Sequence, residues 1–142
     1  MTTIAYRDGV MAADSRAMIS GWKTSYPLPK LFRMADGSVC GLSGNYAVGV
    51  TFKDWLDNGK PGDRPKLVDT SVVQMTKAGL IIHEDGGSFP AHSAFAAWGS
   101  GSPPAYGALY MGADARRAVE IAAMIDDGTG GAIETMTLSV EG

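Results

Sequence analysis

The order of elements along the chain predicts an α+β fold in which two stacked antiparallel sheets are covered by helices. Short apolar runs bounded by turn residues read as strands, and they come in groups. Helical spacing occurs once in the middle of the chain and twice in succession near its end, so strands and helices do not alternate as βαβ units require. With 142 residues, of which 45% are hydrophobic, the chain is expected to form one domain spanning 1–142 with its own core.

Taken in order, the chain opens on a hairpin. Asp8-Gly9 suits a type I′ turn, whose two central residues need positive φ, and apolar runs flank it on both sides. Pairing Arg7 with Val10 and counting outward sets Thr3 against Asp14 and Thr2 against Ser15. Gly21 to Pro29 reads as a turn-rich connection. Lys30 to Met34 and Val39 to Gly44 read as strands about the turn at Ala35-Asp36-Gly37-Ser38, expected to share a sheet with the hairpin.

Tyr46 to Leu56 carries apolar residues at helical spacing and stops at Asn58-Gly59. Lys60 to Pro65 is loop. Val68 to Met75 and Leu80 to His83 form a second hairpin about Lys77-Ala78-Gly79, and Glu84 to Ser93 is expected to be loop. Phe95 to Trp98 is a short strand. A helix follows from the Gly99-Ser100-Gly101-Ser102-Pro103-Pro104 segment to about Met111, since proline fits a first helical turn and serine caps well. Asp114 caps a last helix with Ala115, Ala118, Val119, Ala122 and Ile125 on one face, and Ile133 to Val140 closes the chain as a strand.

Charge and composition exclude several functions. A net charge of −3 and an isoelectric point of about 5.2 offer no footprint for nucleic acid or an anionic membrane. Cys40 is the only cysteine, which excludes an intrachain disulfide and suits a reducing, cytoplasmic setting. No signal peptide pattern and no long apolar span is present. His83 and His92 are too few and too far apart for a metal site, so neither metal nor cofactor is expected. Arg116, Arg117 and Glu120 read as a solvated helix face.

The N-terminus points to chemistry. Thr2 is small enough for aminopeptidases to remove the preceding Met1, which would leave threonine first. Such a residue holds a hydroxyl nucleophile and an α-amine of pKa roughly 7.7 to 8.0 that can act as its base. With Met1 retained, that amine would be an amide nitrogen, which cannot act as a base.

Further along, Ala12-Ala13-Asp14-Ser15-Arg16-Ala17, Lys30-Leu31, Ser43-Gly44, Gly99-Ser100-Gly101-Ser102 and Asp126-Asp127-Gly128-Thr129-Gly130-Gly131 each have an ordinary reading as turn, solvated lysine, loop or helix stop. Together, and in this order after Thr2-Thr3-Ile4-Ala5, they resemble the proteasome β-subunit and HslV family of N-terminal nucleophile (Ntn) hydrolases, from Thr2 to about Leu138. The spacings Asp14 to Lys30 and Lys30 to Gly44 are similar to those of active members. The first hairpin is shorter than theirs by an even number of residues counted from Thr2, which keeps each side chain on its face, and by an odd number counted from Thr3. Thr2 is therefore the better nucleophile.

The resemblance implies a four-layer αββα sandwich. One helical layer is reduced, because only one short helix fits where the family has two. It also implies roles. Thr2 attacks an amide carbonyl, Lys30 holds the proton network and lowers the amine pKa, and Asp14 fixes Lys30. Gly44 offers its N–H to the oxyanion, and Ser100, Asp126 and Thr129 support the amine. Ala17, Leu28, Phe32, Leu42, Tyr46 and Val50 fall where members line the specificity pocket, predicting apolar or aromatic residues before the scissile bond.

Peptides or unfolded proteins are the expected substrates and a homo-oligomer, with a ring possible, the expected assembly; an ATPase partner is left open. No propeptide is expected before Thr2, as in HslV. The competing readings are a non-catalytic assembly module that keeps Met1, and a small-molecule amidase on the same scaffold.

Overall fold

The computed structural model describes residues 2–138. The chain opens with β1 (Ile4–Arg7) and β2 (Val10–Ala13), joined at Asp8 and Gly9, whose φ values of 51° and 77° make the type I′ turn that this pair favours. Their register runs from Arg7 opposite Val10 to Ile4 opposite Ala13, and the Asp14 N–H continues it by donating to the Thr3 carbonyl at 3.3 Å.

β10 (Phe95–Trp98) pairs along β1 and β11 (Glu134–Thr137) along β2, giving an antiparallel sheet of order β10-β1-β2-β11. A second sheet, of order β5-β6-β7-β8-β9, contains β5 (Leu31–Arg33), β6 (Val39–Ser43), β7 (Ser71–Thr76), β8 (Gly79–Glu84) and β9 (Gly87–Ala91).

Alternation of side chains across each strand decides the layers. Ile4, Met11 and Ala13 face the second sheet and bury against Leu31, Val39, Val73, Met75, Leu80 and Ile82. Gly41 lets the sheets approach, since a Cβ there would fall 3.0 Å from Ile4 Cδ1 and 3.1 Å from Met11 Sδ. The opposite face of the first sheet is alanine-rich: Ala5, Ala12 and Ala97 pack under helices α2 (Ser102–Tyr110) and α3 (Ala115–Ile125), against Ala105, Leu109, Ala118, Val119 and Ala122.

On the outer face of the second sheet, α1 (Tyr46–Asp57) buries Phe52 against Cys40, Leu42, Leu67 and Val72. Asn45 caps α1 by accepting the Val48 N–H, and Asp114 caps α3 by accepting that of Arg117. The layers therefore run α, β, β, α, with α1 alone on one side among the described residues.

Several expectations need correction. The β5–β6 hairpin does not share a sheet with β1 and β2. Both edges of the β1–β2 pair are occupied, by β10 and β11, and the two hairpins instead bury their apolar faces against each other. Glu84 to Ser93 is not all loop. Glu84 pairs with Gly87, and β9 forms the sheet's outer strand, where Pro90 can sit because an edge leaves one row of backbone groups unpaired.

The connection from Gly21 to Pro29 begins within a small hairpin of β3 (Met18–Ile19) and β4 (Trp22–Lys23), turned at Ser20 and Gly21 with φ of 49° and 82°. The residues from Val68 to Thr70 precede β7 rather than belong to it, as Asp69 at φ 50° breaks the extended run. Finally, α2 is capped by Gly101 without a side-chain hydrogen bond, the Ser100 hydroxyl being engaged elsewhere. The closing strand ends at Thr137; Val140, its expected end, and Met1 lie outside the described residues.

Candidate active site

The start of β1, the end of β2 and two loops converge on Thr2, which is only 5% exposed. The Gly99–Gly101 turn wraps its backbone: a Cβ on Gly99 would fall 2.0 Å from the Thr2 carbonyl oxygen and one on Gly101 1.9 Å from Thr3 Oγ1. Those two glycines are required by close approach. They bring Ser100 into place, and the Thr2 nitrogen donates to Ser100 Oγ at 3.2 Å.

From there the protons run in one direction. Ser100 Oγ donates to Asp126 Oδ2 at 2.6 Å, and Thr129 Oγ1 donates to the same oxygen at 2.7 Å. Having given its only proton to Asp126, Thr129 accepts from Thr3 Oγ1 at 2.7 Å. Partial burial pushes the Asp126 carboxyl up, but the hydrogen bonds from Ser100, Thr129 and the Gly128 N–H outweigh it and hold the group below its ordinary value. A carboxylate thus ends both hydroxyl chains, beside the Thr2 nitrogen.

A second cluster lies at the end of β2. Asp14 is fully buried and accepts from the Lys30 ammonium at 2.8 Å and the Thr3 N–H at 3.1 Å through one oxygen, and from the N–H groups of Gly130 at 3.0 Å and Arg16 at 3.3 Å through the other. Four donors saturate a carboxylate, so the ion pair is compensated as a buried charge must be. For Lys30, itself 4% exposed, burial is the largest influence and lowers its pKa; Asp14 opposes the shift and the Arg16 charge adds to it, leaving the ammonium less basic than an ordinary lysine.

Thr2 and Lys30 open onto a cavity of about 380 Å³ whose walls include Arg16, Ala17, Leu28, Leu42, Gly44 and Tyr46. The Tyr46 hydroxyl is tied to the Pro29 carbonyl at 2.7 Å. Phe32 and Val50 do not line the cavity. Both pack instead into the apolar cluster around Phe52 beneath α1, a cluster that reaches the cavity only through Leu42 and Tyr46. Met18, Ile19, Thr24 and Tyr26 supply the wall in their stead, contributed by the small hairpin and its exit, which periodicity alone did not reveal.

Gly44, with φ of 110°, sits at the cavity's edge, but the space its missing side chain leaves is filled by the chain itself, since a Cβ would meet the Asp69 carbonyl oxygen at 2.3 Å. Glycine is needed there by its φ and by the Asp69–Thr70 backbone rather than to admit a substrate.

Sequence reading gave no site role to Thr3, Arg16 and Gly130, which the structure brings into the same network. Thr3 shares the nucleophile's dipeptide, and Arg16 was read only as part of a motif. Among the described residues no group of His, Cys, Asp and Glu side chains could hold a metal ion, and no helix is long and apolar enough to cross a membrane.

No family model and no curated protein sequence matches this chain. Solved structures do. BPH of Thiobacillus denitrificans is similar at a TM-score of 0.70 and 21% identity, covering 99% of each chain. The same protein in complex with epoxomicin gives 0.69 and 24%, over 97% of this chain and 98% of that one. Eukaryotic HslV from Trypanosoma brucei gives 0.73 and 18%, over 95% of this chain and 97% of that one. The architecture is therefore that of the HslV-like, proteasome β-type Ntn-hydrolase fold.

Proposed function

We propose that this chain, after loss of Met1, is a threonine-type N-terminal nucleophile hydrolase that cleaves peptide or amide bonds. The observation that carries the reading is the convergence on one buried threonine of two polar clusters, Ser100-Asp126-Thr129 at its nitrogen and Asp14-Lys30 beside the same cavity. The structure of a similar chain with epoxomicin bound lends support.

In this reading the Thr2 hydroxyl attacks the substrate carbonyl while the Thr2 amine takes its proton, directly or through a water. The tetrahedral oxyanion is held by the Gly44 N–H. Collapse breaks the C–N bond, the amine returns the proton to the leaving nitrogen, and an ester to Thr2 remains. Water then hydrolyses the ester by the same route, which releases the acid and restores threonine. The Lys30 charge favours the neutral, basic form of the Thr2 amine and steadies developing negative charge on the hydroxyl oxygen. Asp14 positions Lys30, and Ser100 with Asp126 and Thr129 aims the amine.

Ala17, Met18, Leu28, Leu42 and the ring of Tyr46 give the cavity an apolar side, opposite polar groups from Arg16, Thr24 and Asn45, and an apolar or aromatic residue before the scissile bond would seat on that side. A peptide-library profile dominated by acidic or basic residues would oppose that preference. A cytoplasmic setting suits the buried Cys40, whose thiol burial pushes up to about 12. The whole reading is tested by hydrolysis of a fluorogenic peptide with leucine before the cleaved bond. Thr2→Ala and Lys30→Ala are each expected to lower kcat by at least about a hundredfold, as loss of a nucleophile or of its activating charge does. Equal turnover by wild type and Thr2→Ala would exclude the mechanism.

A further inference from the structure

Arg16 is used by nothing in the mechanism above, yet it occupies the join between the two polar clusters. Its Nη1 donates to the Asp127 carbonyl at 2.8 Å and to the Thr129 carbonyl at 3.2 Å. The guanidinium lies flat against Gly130, so closely that a Cβ there would fall 2.3 Å from Arg16 Cζ and 2.4 Å from Nη2. Beneath it, the N–H groups of Ser15 and Arg16 both donate to the Gly130 carbonyl, at 3.1 and 3.0 Å, and the Gly130 N–H donates to Asp14 Oδ2 at 3.0 Å.

The loop that Arg16 grips is the one that carries Asp126 and Thr129, while the segment that carries Arg16 also carries Asp14. We infer that Arg16 is a positioning residue: its guanidinium clamps the Asp126–Gly131 loop onto the Asp14–Ala17 segment and so keeps the groups that aim the Thr2 amine in register with the Asp14–Lys30 pair. The inference rests on the hydrolase reading for its effect on rate, but the clamp itself does not.

Arginine suits this position for two reasons. Nη1 alone serves both carbonyls, which leaves Cζ, Nε and Nη2 of the planar group to cover the bare Gly130 backbone, an extended contact that a compact lysine ammonium cannot make. Gly130 does not have a positive φ, so its lack of a side chain answers to the guanidinium and not to the backbone. A misplacement of about an ångström at a supporting contact can cost as much as a hundredfold in rate, which makes the join consequential for the reaction.

The test uses the full chain and four variants: Arg16→Met, which keeps the stem; Arg16→Lys, which keeps the charge; Gly130→Ala, which keeps the arginine but pushes the guanidinium off; and the double variant of Arg16→Met with Gly130→Ala. Amide hydrogen exchange is read at Ser15, Arg16, Thr129 and Gly130, with the β7–β8 amides as a reference for global opening. Arg16→Met and Gly130→Ala are each expected to speed exchange at those four positions by about tenfold or more while the reference stays unchanged. Peptide hydrolysis should show kcat lowered by about tenfold with KM within about threefold, no rescue by Arg16→Lys, and no added loss in the double variant, as a single shared contact requires.

Unchanged exchange in both Arg16→Met and Gly130→Ala overturns the clamp, as does an effect confined to KM. A wild-type protein that cleaves no peptide counts against the hydrolase reading alone; faster local exchange in both variants then still supports the clamp, and unchanged exchange still overturns it.

Discussion

His83 is held neutral inside the second sheet. Its Nδ1 lies 2.6 Å from Ser88 Oγ and its Nε2 3.0 Å from Gln74 Oε1, while the Gln74 amide donates to Ser38 Oγ at 3.1 Å. With the Gln74 oxygen facing the ring, Nε2 carries the proton and Nδ1 accepts from Ser88. Burial, then the charges of Arg64 and Lys60, push the imidazole down to about 4. The unfolded chain takes this proton at about 6.5 and the folded chain only near 4, so stability must fall as pH drops between those values and level off below. Urea unfolding across that window should show a slope in wild type that His83→Gln flattens, and parallel curves would contradict it.

Residues such as His83 show why side-chain roles were only partly legible: the sequence placed it at the end of a strand, but its partners come from β7 and β9. Asp14 and Lys30 were more readable. Hairpin counting set Asp14 next to the terminus and the apolar run after Lys30 set it at the start of a strand, while only the family resemblance paired the two, and the structure holds the ion pair at 2.8 Å. Phe32 and Val50 were misplaced because spacing does not say which face of a strand or helix meets the cavity.

At the scale of elements, local turn chemistry was the most legible signal. Asp8-Gly9 announced its hairpin. Ser20-Gly21 has the same left-handed pair of φ values, 49° and 82°, but serine is a weaker signal there than aspartate or asparagine, so the small hairpin beside the cavity went unread. Pro90 concealed β9 because proline is acceptable only on an edge, and an edge is a property of the sheet.

The join of β6 to α1 turns at Gly44, where φ of 110° and the Asp69 carbonyl exclude a side chain. Gly44→Ala should therefore cost about 1–3 kcal/mol of stability from backbone strain alone, and shift the N–H next to the cavity. Thermal unfolding with peptide turnover measures both; an unperturbed melting temperature would show that the turn yields without strain.

Over the whole molecule, several large apolar side chains lie outside the core. Trp22 is 77% exposed, Tyr110 75%, Met111 89%, Met124 70% and Ile125 68%. We propose that these exposed apolar groups, gathered at the small hairpin and at the ends of α2 and α3, are covered by further copies of the chain. Light scattering is expected to give a multiple of 14.8 kDa, and a monomer at every concentration would contradict a homo-oligomer. Layer order was legible because it follows from where helical and alternating patterns fall. The packing of the β5–β6 hairpin under the first sheet, rather than beside it, was not, since both arrangements bury the same residues.

The central claim is that Thr2, freed of Met1, supplies nucleophile and base together. Intact mass of the purified protein, before and after exposure to epoxomicin, tests it most directly. The account predicts a chain that begins at Thr2 and gains the mass of one epoxomicin at that residue, with no gain in Thr2→Ala. A chain that keeps Met1 and takes up no epoxomicin would contradict it.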